Sequence, residues 1–465
     1  MLLTNGLFNA SYYHYFVIGT GPAGMSVALE LVKANKSVLM IESGETTAPR
    51  GDLPNAINYG QFPPTWWNRH SLRALGGTSN VWSGWLATLM DRDFDNPAVG
   101  VKWPLTRAEL LPFYRKAAPI LDRDPAFVDF EQSLFPGFLY RPFSVREDTP
   151  TKFAVKYRSD METSPLLHVL LGCSVLGFDA TDSRSAVQTI TYRHHASQTQ
   201  HTVSIKPAQT VVVACGGFGT PQLLLQPRRD GGVPIGNESG QAGKFLMEHP
   251  HFIDAGECAM TADLDGIARP PKFTDPVHAL VPDPATMERY GLRACAVALQ
   301  HQTTDHVMAR YLSQELGKPC YHYTCTIRTE MLPSEGNRVY LTGERSPEGF
   351  YTPAVRFVIG GDDFLNADTV LRILGQSLID QRRGRLRIIN SRIYRDFTGG
   401  GHLMGTTRMG TSPSNSVVDR DCRVHGYRNL FIAGSSVFPT SAYANPTLTI
   451  VALALRLADT LVKAG

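Results

Sequence analysis

Residues 15 to 42 limit the fold of this 465-residue chain more than any other stretch. Tyr15-Phe16-Val17-Ile18 is a short apolar run of the kind that forms a buried parallel strand. Gly19-Thr20-Gly21-Pro22-Ala23-Gly24 follows at once. Met25 to Ala34 then reads as a helix with apolar residues at Val27, Leu29 and Val32, and a second apolar strand, Ser37 to Ile41, ends at Glu42. Strand, glycine turn, helix, strand and acid in this order make the phosphate cradle of a dinucleotide site. Gly19 permits the tight turn, Gly21 lets the backbone approach a pyrophosphate, and Gly24 lets the helix pack closely on the strand. The helix start offers N–H groups and a positive dipole end to the phosphates. Glu42, 18 residues past Gly24, stands where a carboxylate accepts hydrogen bonds from ribose hydroxyls. By itself the motif does not choose between FAD and NAD.

Two more glycine turns repeat the theme. Residues 45 to 70, rich in Pro, Gly, Asn and aromatics without a sustained period, read as a long irregular connection of the lid-like kind. After it, residues 73 to 84 place Gly76, Gly77, Ser79 and Asn80 in a turn with hydroxyl and amide donors. Such a turn is either a plain loop or a second wall around the same cofactor. Strand-like segments at 168 to 176, 187 to 193, 201 to 205 and 210 to 215 suggest a meander that returns to a buried strand, Val211 to Ala214. The third turn, Gly216-Gly217-Phe218-Gly219, follows that strand and precedes an amphipathic Gln222 to Gln226. Open α/β sheets bind ligands at such strand-to-helix turns.

Other signals outline the rest of the chain. Thr106, with Glu109 three residues later, is a helix start. Alternating runs at 292 to 299, 321 to 329 and 353 to 359, with a helix near 363 to 380, imply a second, mainly antiparallel unit over 256 to 396. The apolar strand 429 to 434 and the helical stripe of Pro446 to Lys463 return to the nucleotide-binding unit.

Composition excludes several classes. With 45 Lys plus Arg against 42 Asp plus Glu there is no concentrated basic face, so a nucleic-acid partner is not expected. The seven cysteines are scattered without a Cys-x-x-Cys pair, which argues against a disulfide framework or a zinc site. Cys320 and Cys325 would fall on opposite faces of a strand. No run reaches the ~18–20 apolar residues that span a bilayer, and the amino terminus lacks the pattern of a secretory leader. A cytoplasmic protein without a transmembrane segment is the expectation.

Two residues near the carboxyl end carry chemistry. His402 sits among Gly399, Gly400, Gly401 and Gly405, which leave its imidazole few bulky local neighbours, and an imidazole is the usual acceptor of an alcohol proton. Asn445 before Pro446 is first of all a helix cap followed by a first helical proline. The same geometry aims a positive helix end at whatever lies in front of it. Each residue alone has an ordinary structural reading.

These segments together resemble the glucose-methanol-choline (GMC) oxidoreductases, a family of FAD enzymes. The matching stretches are GTGPAG (19 to 24), LGGTSNVWSG (75 to 84), VVVACGGFGTPQLLL (211 to 225), FLMEHPH (245 to 251), GGHLMGTTRMG (400 to 410) and the run from Asn429 to Asp459. The last two are similar to the branch that acts on sugars and polyols. The resemblance implies an α/β fold in which a Rossmann-like FAD domain is interrupted by a mainly antiparallel β substrate domain with flanking helices. The FAD domain is expected from 1–100, 150–255 and 400–465, and the substrate domain from 101–149 and 256–399. It implies that His402 accepts the hydroxyl proton while Asn445 hydrogen-bonds the same oxygen. The carbinol hydrogen would pass as hydride to flavin N5, leaving an aldehyde or ketone.

Cofactor contacts are expected from Gly19, Gly21, Gly24, Glu42, Gly76, Gly77, Ser79, Asn80, Val175, Ala214, Gly216, Gly434, Ser435, Pro446 and Thr447. Relatives that tether the flavin use a histidine where this chain has Val81, so the FAD is expected to be noncovalent. The substrate would be a sugar, glycoside or polyol hydroxyl. The electron acceptor would be oxygen or a quinone, cytochrome or dye-like molecule, for an oxidase or a dehydrogenase respectively. A flavin-containing lyase, or a non-redox flavoprotein subunit of the same fold, is the alternative. Glu330 falls where some relatives place an active-site carboxylate, and a structural glutamate fits it equally. His249 and His251 flank Pro250 without a third ligand in view, so they read as packing residues near the cofactor and no metal is expected.

Overall fold

The strand expected first, Tyr15–Ile18, lies inside a six-stranded, wholly parallel sheet in a computed structural model of the chain. The structure describes residues 1–46, 57–61, 71–146, 148–181, 185–228, 231–268, 276–302, 305–346 and 349–464. Across the sheet the order is Leu2–Leu3, Leu167–Leu170, Val38–Ile41, Tyr15–Ile18, Thr210–Val213 and Leu430–Ile432. Each pairing is in parallel register. Every residue of Tyr15–Ile18 and Val38–Ile41 is buried. A parallel strand covered on both faces needs such an unbroken apolar run rather than alternation. The helix Thr447–Ala464 packs between Pro22–Lys33 and Arg107–Ile120, so the chain's last helix closes the unit that its first strand opens. Thr106 caps Arg107–Ile120 as its sequence indicates: its backbone N–H donates to Glu109 Oε2 at 2.9 Å, and its Oγ1 accepts from Glu109 N at 3.3 Å.

Segment 168 to 176 is two strands, not one. Leu167–Leu170 belongs to the parallel sheet, and Cys173–Ala180 starts an antiparallel meander with Val187–His194 and Thr199–Ser204. The chain turns at Gly172, whose φ is +63°. Apolar character runs straight through this turn because both strands are buried, so periodicity carries no sign of it.

The mainly β unit is built on an eight-stranded sheet with antiparallel pairings. Pro250–Met260, Tyr321–Thr329, Cys295–His301 and His278–Pro282 lie side by side in it, and the helix Gly361–Asp380 packs on it. The division expected between residues 255 and 256 therefore falls inside the strand Pro250–Met260. Cys295–His301 is not alternating, since its first five residues are all buried.

Tyr351–Phe357 lies outside this sheet. It pairs antiparallel with Arg338–Arg345 and parallel with Ile57–Gly60, a strand within the stretch read as irregular. The rest of that stretch, 47–56 and 62–70, and with it the lid-like reading, lies outside the described residues. Cys325 is within its strand, whereas Cys320 precedes it and is buried with Ala309 and Leu312. Among the described residues no helix is long and apolar enough to cross a membrane.

Candidate active site

A cavity of about 800 Å³ runs from the first glycine turn to His402 and Asn445. Three helices begin at its wall: Pro22–Lys33, Gly216–Leu224 and Thr447–Ala464. Neither of the first two has a side-chain cap, so their leading N–H groups are left to whatever occupies the space. Gly216–Leu224 starts six residues before the expected Gln222 because its glycines lie inside the helix. A Cβ on Gly217 would sit 2.0 Å from the Leu403 carbonyl oxygen, so this glycine lets the helix start approach the loop that carries His402.

The residues expected at the cofactor divide into two groups. Gly19, Gly21, Glu42, Gly77, Val175, Ala214, Gly216, Gly434, Ser435, Pro446 and Thr447 line the cavity. Gly24, Gly76, Ser79 and Asn80 stand behind it. A Cβ on Gly24 would meet the Gly19 carbonyl oxygen at 2.1 Å, which makes it a helix-packing glycine. Gly76 donates its N–H to Thr20 Oγ1 at 3.0 Å, so the second turn is tied to the first. Ser79 Oγ donates to Gly76 O at 2.6 Å, and Asn80 Nδ2 donates to Leu75 O and Gly77 O, both at 2.9 Å. Their side chains hold the turn in shape. Glu42 accepts from Thr20 N at 3.0 Å, Thr20 Oγ1 at 2.7 Å and Gly44 N at 2.9 Å. Its burial raises the carboxyl pKa, against which these bonds work.

The loop bearing His402 is anchored by a carboxylate. Glu248 is fully buried and accepts the backbone N–H of His249 at 2.7 Å and that of His402 at 2.8 and 2.9 Å. Burial pushes its carboxyl up to about 7, while the N–H groups of His249, His402, Gly401 and Gly400 pull it down. The glycines here do not give the imidazole open space, as their sequence suggested. A Cβ on Gly400 would lie 2.3 Å from His402 Cε1 and 2.9 Å from His251 Cε1, because the rings fold back over this backbone.

His402 keeps only 13% of its side chain exposed. Its Nε2 meets Asn445 Nδ2 at 3.2 Å, and its Nδ1 meets His249 Nδ1 at 3.0 Å. The rings of His249 and His251 stand edge-on to it, with centroids 5.0 and 6.0 Å away. Asn445 does not act as the expected helix cap. The Pro446 carbonyl accepts the Ile450 N–H at 2.8 Å, and the Asn445 side chain is spent on His402 and on Arg328, whose Nη1 donates to Oδ1 at 3.0 Å.

Arg328 is the cavity residue that sequence reading passed over. It reaches across from Tyr321–Thr329 with its guanidinium 4.0 Å from the Trp85 ring centroid and 4.8 Å from that of Phe143. Its strand, YHYTCTIRT, mixes polar and apolar residues throughout, so nothing local set this arginine apart. Burial lowers the pKa values of His249, to about 4, and of His251, and the charge of Arg328 adds to both. Both rings are therefore neutral at pH 7.

Glu248, His249 and His402 bring three possible metal-ligand atoms within 4.8 Å of one another, a grouping different from the His249 and His251 pair weighed from sequence. Those atoms are engaged in hydrogen bonds: the carboxylate with backbone N–H groups, and the rings with each other, Ser441 and Asn445.

Glu330 is fully buried and does not line the cavity. Its carboxyl accepts from Ala294 N at 3.1 Å and Ala442 N at 3.0 Å, bracing the loop that leads to Asn445. Burial, aided by Asp93, pushes it up to about 8, and burial pushes Asp93 up to about 6. A carboxyl raised on folding contributes stability below its unfolded pKa near 4.5 that is lost as pH rises through about 8. Glu330→Gln is accordingly expected to flatten the decline in thermal stability across that window. The difference is at most roughly 4–5 kcal/mol, and melting curves at a series of pH values check it.

Residues 333–454 match the model of the family described as GMC oxidoreductase. That match covers about a quarter of the chain, so the chain is similar to GMC oxidoreductases over this carboxyl-terminal region. The chain is 25% identical to the 2-methyl-1,2-propanediol dehydrogenase of Mycolicibacterium austroafricanum, over 95% of its own length and 94% of that protein. It is 28% identical to the fructose dehydrogenase large subunit of Gluconobacter japonicus over 61% of its own length, a match that spans about half (52%) of that protein. In fold it is similar to pyridoxine 4-oxidase from Mesorbium loti, with a TM-score of 0.60 at 16% identity over 96% of this chain and 99% of that one.

Proposed function

We propose that this protein is an FAD-dependent oxidoreductase that converts a hydroxyl of a sugar, glycoside or polyol into a carbonyl, with the FAD held noncovalently. The observation that carries the reading is the convergence of His402 and Asn445 at the end of a cavity whose other end is a dinucleotide cradle. The residues present suit FAD. A Cβ on Gly216 would point into open space and one on Gly21 would touch only Gly77 Cα, at 3.9 Å, and uncapped helix starts face the same volume. Glu42 stands on the ribose side of the cradle, and Val81, half exposed at the wall, offers no group for a covalent tether. The names of the two relatives, a diol dehydrogenase and a sugar dehydrogenase, point to polyhydroxylated substrates.

What FAD supplies when bound is a two-electron acceptor for the carbinol hydrogen. His402 receives the hydroxyl proton at Nε2, the ring nitrogen that faces Asn445. A substrate hydroxyl seated between the two replaces their mutual contact, with Asn445 Nδ2 donating to its oxygen. Arg328 fixes the Asn445 amide and places a positive charge near the developing alkoxide. The parallel-sheet unit thus holds the cofactor, and the antiparallel sheet, through Arg328 and His251, supplies the substrate wall.

The deciding experiment is an anaerobic absorbance spectrum of the purified protein before and after sugars, glycosides, polyols and simple alcohols. Bleaching of a flavin band near ~450 nm by a polyhydroxy compound is expected. A flavoprotein that no alcohol bleaches would overturn the proposal.

Gly19→Ala tests the cradle. Gly19 has φ of +101°, and a Cβ there would lie 2.6 Å from the Ala214 carbonyl oxygen. The variant is expected to lose roughly 1–3 kcal/mol and to purify with little flavin, as a denaturation curve and the ratio of visible to protein absorbance report.

A further inference from the structure

The protonation pattern around His402 follows from the partners of its neighbours. The Ser441 carbonyl oxygen lies 2.8 Å from His249 Nε2 and can only accept, so this nitrogen carries a hydrogen. His249 is fully buried and held neutral by burial and by Arg328, which leaves its Nδ1 as a bare acceptor. The 3.0 Å contact between His249 Nδ1 and His402 Nδ1 needs one hydrogen, and only His402 has it to give. Glu248 Oε1, the nearby carboxylate oxygen, is 3.7 Å from the same Nδ1, too far to take the bond.

A second chain of contacts reaches the same ring from the other side. A guanidinium can only donate, so the Arg328 bond fixes which end of the Asn445 amide is oxygen. The NH2 end then points at His402 Nε2, which must accept. Starting from Ser441 or from Arg328, the result is a neutral His402 with its hydrogen on Nδ1 and its lone pair on Nε2.

We propose that His249 is a positioning residue that sets the tautomer of His402, holding the hydrogen on Nδ1 so that the Nε2 lone pair faces the substrate hydroxyl. Its ring works as a backbone-referenced clamp. Ser441, through its carbonyl, dictates the His249 tautomer, and His249 passes that choice on. When His402 takes a proton at Nε2, the Nδ1–H to His249 bond is already in place and nothing in the pair has to turn. The sequence HPH, with its first histidine directed away from the cavity, thereby acquires a role that packing alone does not give it.

The inference rests on the proposed role of His402, but its test does not. Imidazole ¹⁵N shifts of the FAD-loaded protein, with the His402 signals assigned by their loss in His402→Ala, report the tautomer without any turnover. The expected result is a protonated Nδ1 and a bare Nε2 on His402 in the wild type. His249→Leu strips the Nδ1 hydrogen of its acceptor and leaves Asn445 alone to hold Nε2 bare, so a mixture of the two tautomers and flavin reduction slowed by roughly 10-fold are expected, while His249→Asn, which keeps an acceptor oxygen near Nδ1, should retain the wild-type tautomer and most of the rate. A hydrogen on Nε2 in the wild type would overturn the proposal, as would a Leu variant with unchanged tautomer and rate. If the Leu variant does not fold, the wild-type shifts decide. If no alcohol reduces the flavin, the proposed function fails while the tautomer assignment still stands or falls on its own spectrum.

Discussion

His402→Ala is expected to purify with its flavin and to lose roughly 10²- to 10⁴-fold in turnover, the contribution of a general base and about 3–5 kcal/mol of barrier. Cofactor retention follows because the cradle from Gly19 to Gly24 and the helix start at Gly216 do not lean on the imidazole. The loop also keeps its anchor, since the His402 backbone N–H still donates to Glu248. What disappears is the group at the end of the cavity that can take a proton while Asn445 holds the oxygen. Anaerobic mixing of variant and substrate, followed at the flavin band, separates this loss from any slower step of reoxidation. A variant reduced as fast as the wild type would show that the proton leaves by another route.

Glu248→Ala is expected to lower stability by roughly 3–5 kcal/mol and to cost activity as well, although no atom of Glu248 lines the cavity. The carboxylate is fully buried and collects the N–H groups of His249 and His402, with Gly400 and Gly401 beside them. Its removal leaves those donors buried without an acceptor, and each such group costs about 1–3 kcal/mol. Release of the loop also frees His402 from the backbone position that sets its contacts with Asn445 and His249. Glu248→Gln, which keeps one acceptor oxygen, should fall between wild type and Ala. Chemical denaturation midpoints measure the first effect and flavin reduction rates the second. An Ala variant as stable as the wild type would mean that the loop holds its shape without the carboxylate.

The parallel-sheet half was legible because its signals are local. A buried parallel strand, a turn at positive φ and a helix start occupy consecutive residues, and Tyr15 to Lys33 records all three in order. The same holds for Thr106 and Glu109, whose capping bonds span three residues. Where sequence reading erred, burial had removed the signal. The turn at Gly172 lies between two buried strands, and Cys295–His301 lost its alternation because both faces are covered. Ile57–Gly60 finds its partner, Tyr351–Phe357, nearly 300 residues away, which no local pattern records.

By itself the sequence determined the type of the main unit, the glycines that let backbone approach backbone, and the two residue types, histidine and asparagine, that suit alcohol chemistry. Tertiary structure decided what those two residues face. Asn445 reads as a cap until Arg328 arrives from another sheet to take its oxygen. His402 reads as one histidine in a glycine loop until Glu248 anchors its backbone and His249 meets its ring. The physical reason is that hydrogen-bond direction and tautomer are properties of pairs. The pairs here join residues 43 to 154 positions apart, so only the folded chain brings each donor to its acceptor.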